Sequence, residues 1–488
     1  MTRVESHPAI IQGGMGVAVS GWRLAKAVSG LGQLGVVSGT ALDMVLARRL
    51  QQGDPEGHIR RAIAAFPDQE LAQRILEAYF VEGGRPAGES FKSAPVFSAT
   101  PTRRNNELAV LSGFVEVFLG KEGHDGVVGI NFLEKIQPPT PATLYGALLA
   151  GVNYVLVGAG IPRHIPGLID ALILHDKVAL PLHVTGVEAG QTIELSFDPR
   201  SVMDVELEPL GRPDFLAIIA SAALAVSLTR HTSGVNGFVV EGPTAGGHNA
   251  PPRGQLVLEE GEPVYGPRDE VDLEKVAAVG LPFWLAGGYA TPQGLLDAQA
   301  NGAAGIQVGT LFAFCNESGV EPGLRSQVVA EARTGELKVF TDPLASPTGF
   351  PFKVAGINGT LSEPEVRDAR EARCDLGYLR EIFVKGDGSL GYRCPAEPVE
   401  DYVRKGGSIE ETIGRRCICN GLMATAGYAQ HRQGVPEPAI VTAGNDLENL
   451  GRLIPKDADS YAAADVIACL LDTAATQADP AATVAPSC

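Results

Sequence analysis

No apolar run in this 488-residue sequence approaches the roughly 20 residues that a bilayer-spanning helix needs. The nearest candidate, Ala217 to Leu228, is too short and too rich in Ala and Ser. The opening Met1-Thr-Arg-Val-Glu-Ser-His-Pro8 lacks the apolar core of a secretory signal. Cysteine is scarce and odd in number, at seven. These absences predict a cytoplasmic protein whose thiols stay reduced. Positive charge is also in deficit, with 39 Lys and Arg against 57 Asp and Glu, a net charge of −18. Such a balance argues against nucleic acid or an anionic membrane as the main partner.

Glycine, by contrast, is abundant, at 59 residues without a collagen period. Tight strand-to-helix turns use glycine in this way. Short β-branched runs centred near residues 10, 36, 129, 155, 182, 239, 284 and 306 read as buried strands. Helical stretches follow almost every one, among them Trp22 to Ser29, Thr140 to Gly151, Ile165 to His175, Pro213 to Arg230 and Thr291 to Asn301. Eight β/α units predict an α/β fold, a (β/α)8 TIM barrel, over residues 1–335. Residues 43–126 read as a helical insertion after the second strand. Residues 336–474 read as a mixed C-terminal accessory region, and 475–488, rich in Ala, Thr and Pro, as a disordered tail.

In such a barrel, chemistry collects at the carboxyl ends of the strands. The stretch Gly237-Phe-Val-Val-Glu-Gly-Pro-Thr-Ala-Gly-Gly-His248 is a strand running into a glycine turn with a histidine at its lip. Gly246 and Gly247 can lie flat against a planar or phosphorylated ligand, and His248 can move a proton near neutral pH. The turns after the seventh and eighth strands, at Gly287, Gly288, Gly309 and Thr310, occupy the usual phosphate position of this fold.

As a set, these motifs resemble the nitronate monooxygenase (2-nitropropane dioxygenase) family of FMN-dependent barrels, whose superfamily includes flavin-dependent enoyl reductases. The resemblance rests on Ile11-Gln-Gly-Gly-Met-Gly16, Gly129-Ile-Asn-Phe132, Ala245-Gly-Gly-His248, Leu285-Ala-Gly-Gly-Tyr289 and Gly302-Ala-Ala-Gly-Ile-Gln-Val-Gly-Thr310, and it covers residues 8 to about 315. It implies FMN as cofactor, with Gln12, Gly13, Gly14, Met15 and Asn131 bordering the ring and Gly246 and Gly247 beside it. Gly287 and Gly288, with Gln307, Val308, Gly309 and Thr310, would hold the phosphate. It implies His248 as the base that takes the proton α to a nitro group. The expected reaction is oxidation of nitroalkanes or alkyl nitronates with O2 to a carbonyl compound and nitrite; the alternative is an NAD(P)H-dependent enoyl or quinone reductase. A small-molecule substrate is expected, with homodimerisation open.

Three positions depart from the family pattern. Glu241 stands where the monooxygenases usually carry glutamine, Thr244 replaces an acidic residue, and Asn249-Ala-Pro-Pro-Arg253 is a longer, stiffer continuation. These lean toward the enoyl-reductase side of the superfamily, or toward another branch of it. Finally, Cys374, Cys394, Cys417 and Cys419 cluster in the C-terminal third. Four thiolates could hold zinc or an iron–sulfur cluster, but their spacing is not the paired C-x2-C form, so reduced, partly buried thiols are the preferred reading and no metal is assigned.

Overall fold

Eight short strands, each a buried apolar run, close on one another in a ring. The computed structural model describes residues 7–454 and 458–472; the stretch 475–488, read as a disordered tail, lies outside the described residues. The barrel strands are β1 (Ile10–Gln12), β2 (Leu34–Ser38), β3 (Val128–Leu133), β4 (Tyr154–Gly158), β5 (Asp214–Ile219), β6 (Gly237–Glu241), β7 (Phe283–Ala286) and β8 (Gly305–Val308). All neighbours are parallel, and β1 closes the ring against β8 with Ile10 opposite Ile306. The expected (β/α)8 barrel is therefore the architecture.

Side-chain alternation divides the core in two. Ile11, Leu34, Val36, Leu156, Leu216, Val239 and Trp284 point inward and form a closed cluster that fills the barrel. Their neighbours, such as Ile10, Val37, Ile130 and Phe238, point outward into a larger core shared with the helices. A strand covered on both faces must be apolar at every position, which is why these runs read as continuous rather than alternating.

Two expectations are corrected. The run near residue 182 is not a barrel strand: Val178–Pro181 pairs antiparallel with Glu194–Phe197 in a separate two-stranded sheet. The fifth barrel strand is instead Asp214–Ile219, which the apolar pattern merges into a single helix from Pro213 to Arg230. Ser221 divides strand from helix. Its side chain accepts from the backbone N–H of Leu224 and starts the helix Ala222–His231. A serine cap inside an apolar run is a stop signal for one element and a start for the next.

The ring helices include α1 (Trp22–Gly30), α2 (Arg103–Lys121), α3 (Thr140–Leu149) and α4 (Pro292–Ala300). Helix α2, with a capping box at Thr102 and Asn105, lies within the 43–126 stretch and packs between α1 and α3. Its pattern is apolar nearly all round, as suits a helix buried on every side, and so gives little amphipathic signal. At the other end of the chain, α5 (Ala463–Leu471) packs between α1 and α4. The C-terminal stretch thus supplies a helix to the barrel's own outer ring.

Candidate active site

The strand ends of β1, β3, β6, β7 and β8 open into one cavity of about 1620 Å³, its open mouth included. Gly13, Gly14, Met15, Asn131, Glu241, Gly246, Gly247, His248, Gly287, Gln307, Gly309 and Thr310 all line it. Residues separated by almost 300 positions in sequence are therefore brought to one place by the barrel alone.

Three of the candidate residues do not line this cavity. Gln12 is fully buried and its side chain is spent on the barrel: Nε2 donates to the carbonyl of Gly13 and Oε1 accepts from Val36 N–H. Val308 is buried on the opposite face of β8, at 2% exposure. Gly288 gives its backbone N–H to the carboxylate of Asp446. Two polar residues of the barrel region are also outside the cavity: His183 is an exposed partner of Glu134, 2.8 Å from its Oε1, and Arg253 is bound to the carbonyls of Ala220 and Arg268.

The other wall comes from the C-terminal third, which the motifs did not cover. Phe352, Leu379, Ile418, Val441, Ala443 and Asp446 line the same cavity. The histidine turn is clamped by this layer. Gly247 N–H donates to Thr442 Oγ1 at 2.9 Å, Lys353 N–H donates to Gly247 carbonyl at 2.9 Å, and Asn249 N–H donates to Pro351 carbonyl at 2.9 Å. A Cβ at Gly246 would lie 2.8 Å from the Ala443 carbonyl carbon, so only glycine permits this approach. Gly287, at φ +84°, is likewise held where a side chain would meet Thr244 Oγ1 at 2.9 Å.

His248 is half-buried, with Nε2 2.7 Å from Ser346 Oγ and its ring edge-on to Phe352 at 4.9 Å. Burial, and secondarily the positive charge of Lys135, push its pKa down to about 3. The imidazole is therefore neutral at physiological pH, and the burial that keeps it so weakens it as a base until a substrate changes its surroundings. Glu241, at the end of β6, is pushed the other way by burial, up to about 7. Lys135, just beyond β3, is pulled down to about 7 by burial. Its Nζ has no hydrogen-bond partner and lies 3.1 Å from the centroid of the Phe350 ring. Two titratable groups with displaced pKa values line the cavity, and Lys135 is close enough to act on both; such a grouping is a mark of a reactive site.

The residues present fit a flavin at the ring end. The Oε1 of Gln307 lines the cavity, is buried and has no partner, so it calls for a donor from a bound molecule. The phosphate end is more crowded than the sequence implied. Thr310 Oγ1 accepts from Gly444 N–H at 2.8 Å, and Asp446 holds Gly288. Gly287, Gly309 and Thr310 remain on the cavity wall as the residues that could meet a phosphate.

A parallel barrel with a glycine-lined mouth and an imidazole over it is the frame of a cofactor-binding α/β-barrel protein. Over residues 178–342 the chain matches the nitronate monooxygenase family, the family its motifs resemble. It is 30% identical over 115 residues to a probable nitronate monooxygenase of Bacillus subtilis, covering 24% of this chain and 31% of that one. It is 28% identical over 199 residues to a nitronate monooxygenase of Paraburkholderia phytofirmans, covering 40% and 50%. The matched part thus spans half or less of those relatives' length. Among solved structures it is similar to FabK from Thermotoga maritima, with a TM-score of 0.46, 17% identity, and coverage of 97% and 94%. No helix among the described residues is long and apolar enough to cross a membrane.

Proposed function

We propose that the protein is an FMN-dependent oxidoreductase that oxidises alkyl nitronates and nitroalkanes with O2, giving a carbonyl compound and nitrite. The observation that carries this reading is the convergence of Gly13–Met15, Asn131, Gly246–His248, Gly287 and Gln307 on one cavity with a neutral imidazole at its rim. FMN, when bound, supplies the two-electron chemistry that no side chain can provide. Gln307 Oε1 would accept from the ring, Asn131 and Gly14 would border it, and Gly287, Gly309 and Thr310 would meet the phosphate. His248 takes the proton from the carbon bearing the nitro group. Ser346 fixes the tilt of that ring, and Phe352 and Val441 keep water from the proton being moved.

A second reading, an NAD(P)H-dependent enoyl or quinone reductase, is favoured by Glu241. A cavity carboxyl that is half protonated near pH 7 can deliver a proton to a substrate carbon. The two readings separate in one experiment. Purified protein loaded with FMN is mixed in parallel with a nitronate in air and with NADH or NADPH without air. Oxygen uptake with the nitronate and no NAD(P)H supports the first reading. Anaerobic NAD(P)H consumption with an enoyl thioester or quinone supports the second. A colourless protein that cannot take up FMN would exclude both.

A further inference from the structure

Just past the end of β3 the chain buries a lysine that has nothing to donate to. Leu133 and Ile136, on either side of it, line the active-site cavity, whereas Lys135 does not. Its Nζ is buried and has no hydrogen-bond partner. Glu134, the adjacent carboxylate, is turned instead to His183, 2.8 Å from its Nε2. Glu134 and Glu241 act on Lys135 only through space. An ammonium taken out of water needs something in place of the water. Lys135 has an aromatic face: its Nζ lies 3.1 Å from the centroid of the Phe350 ring, within cation–π range.

Phe350 belongs to the strip of chain that holds His248. Ser346 Oγ lies 2.7 Å from His248 Nε2, and the Phe352 ring stands edge-on to the imidazole at 4.9 Å. Asn249 N–H donates to Pro351 carbonyl and Lys353 N–H donates to Gly247 carbonyl, each at 2.9 Å. His248 and Phe352 thus pair as an antiparallel bridge. Phe350 sits between the two residues that touch the imidazole. The Ser346 end of the strip is tied to the C-terminal layer, because the Arg415 guanidinium donates to the Ser346 carbonyl. Lys135 ties the strip from the barrel side, where His248 itself is rooted.

We propose that Lys135 is a positioning residue: through Phe350 it holds the strip 346–352 against the barrel and keeps the His248 imidazole aimed into the cavity. This rests on the reading of His248 as the base. The hold needs a charged amine, and burial pulls the pKa of Lys135 down to about 7, so the hold weakens as pH rises through 7. The groups that face Lys135 are Glu134, Glu241 and His248. Glu241 titrates in the same range, so arginine at position 135, which stays charged, separates the two. Removing the charge at 135 also frees His248 of a repelling cation, which acting alone would make it a better base. Phe350→Leu leaves every charge in place and reports on position only.

The test compares Lys135→Met, Phe350→Leu, their combination and Lys135→Arg with the parent, each as the full chain loaded with FMN. On neutral nitroethane at pH 6.5, Lys135→Met and Phe350→Leu should each lower kcat by about three- to thirtyfold, the worth of a cation–π contact, with KM nearly unchanged. The combination should be no slower than the slower single variant, because the two residues act as one unit. The rate of Lys135→Arg relative to the parent should rise between pH 6.5 and pH 8.5. Independently of turnover, ¹⁵N spectra of histidine-labelled protein should show His248, assigned by its loss in His248→Ala, as one sharp tautomer in the parent and in Lys135→Arg. In Lys135→Met and Phe350→Leu the same signal should broaden or split. An unchanged His248 signal in both variants would overturn the proposal, as would single losses that multiply in the combination. If Lys135→Met fails to fold, Phe350→Leu and the pH course of Lys135→Arg decide. A parent that turns over no nitroalkane, with the His248 spectra changing as expected, would sink the proposed reaction and leave the positioning role standing.

Discussion

His248 Nε2 lies 2.7 Å from Ser346 Oγ, across 98 positions of sequence. The barrel supplies the imidazole, and the C-terminal third supplies the group that orients it. Ser346 is itself fully buried and bound to Thr348 Oγ1 at 2.9 Å, so the ring is held by a fixed support. His248→Ala should lower turnover of neutral nitroalkanes by about 10²- to 10⁴-fold, the usual value of a general base, yet spare preformed nitronates. Ser346→Ala should act in the same direction but more weakly, by roughly tenfold, as expected for one hydrogen bond. Steady-state rates on the two substrate forms check both. Equal loss on neutral and ionised substrate would remove His248 from its role.

Glu241 gives a pH signature. Its folded pKa, about 7, is raised above the unfolded value by burial, so the native state holds a proton that the unfolded chain has released. Stability is therefore greatest below about pH 4.5 as far as this group is concerned, and is lost as pH rises toward 7 and above. Glu241→Gln should raise the melting temperature at pH 8 and leave it nearly unchanged at pH 4.5. Thermal unfolding at the two pH values measures this. A variant no more stable at pH 8 than the parent would show that the carboxyl is not desolvated.

Asp446 stands where a phosphate was expected, with its carboxyl held above the usual carboxylate range by burial and accepting from Gly288 N–H. Two anions cannot share that corner cheaply. Asp446→Asn should tighten FMN binding by roughly tenfold, corresponding to about 1.4 kcal/mol of relieved repulsion. Flavin fluorescence titration checks it. Weaker binding in the variant would mean that the protonated acid donates to the phosphate instead.

Lys353 fastens the C-terminal layer over the mouth. It is 3% exposed, and its Nζ bonds to Thr341 Oγ1 and Asn445 Oδ1, each at 2.8 Å. Lys353→Met should cost about 1–3 kcal/mol, because the buried Thr341 hydroxyl loses its partner and the tie to Asn445 is cut, and should speed FMN release. Denaturant unfolding and a flavin dissociation assay would report both. An unchanged release rate would show that the layer does not gate the cavity.

The sequence by itself determined the parallel barrel and the glycine turns at its mouth. Both are local: a buried apolar run followed by glycine is readable within a short window, and the turns at Gly13, Gly246, Gly287 and Gly309 needed only the fold rule to be placed together. Even there, Asp214–Ile219 passes for helix, since a short apolar run has no period that tells strand from helix. What only the tertiary structure decided was the far wall. Ser346, Lys353, Thr442, Asp446 and the four converging cysteines come from stretches without repeat or period, and their meaning lies in what they touch. A strand's place is set by its own side chains, whereas a hydrogen bond across 98 or 195 positions exists only once the chain has closed around it.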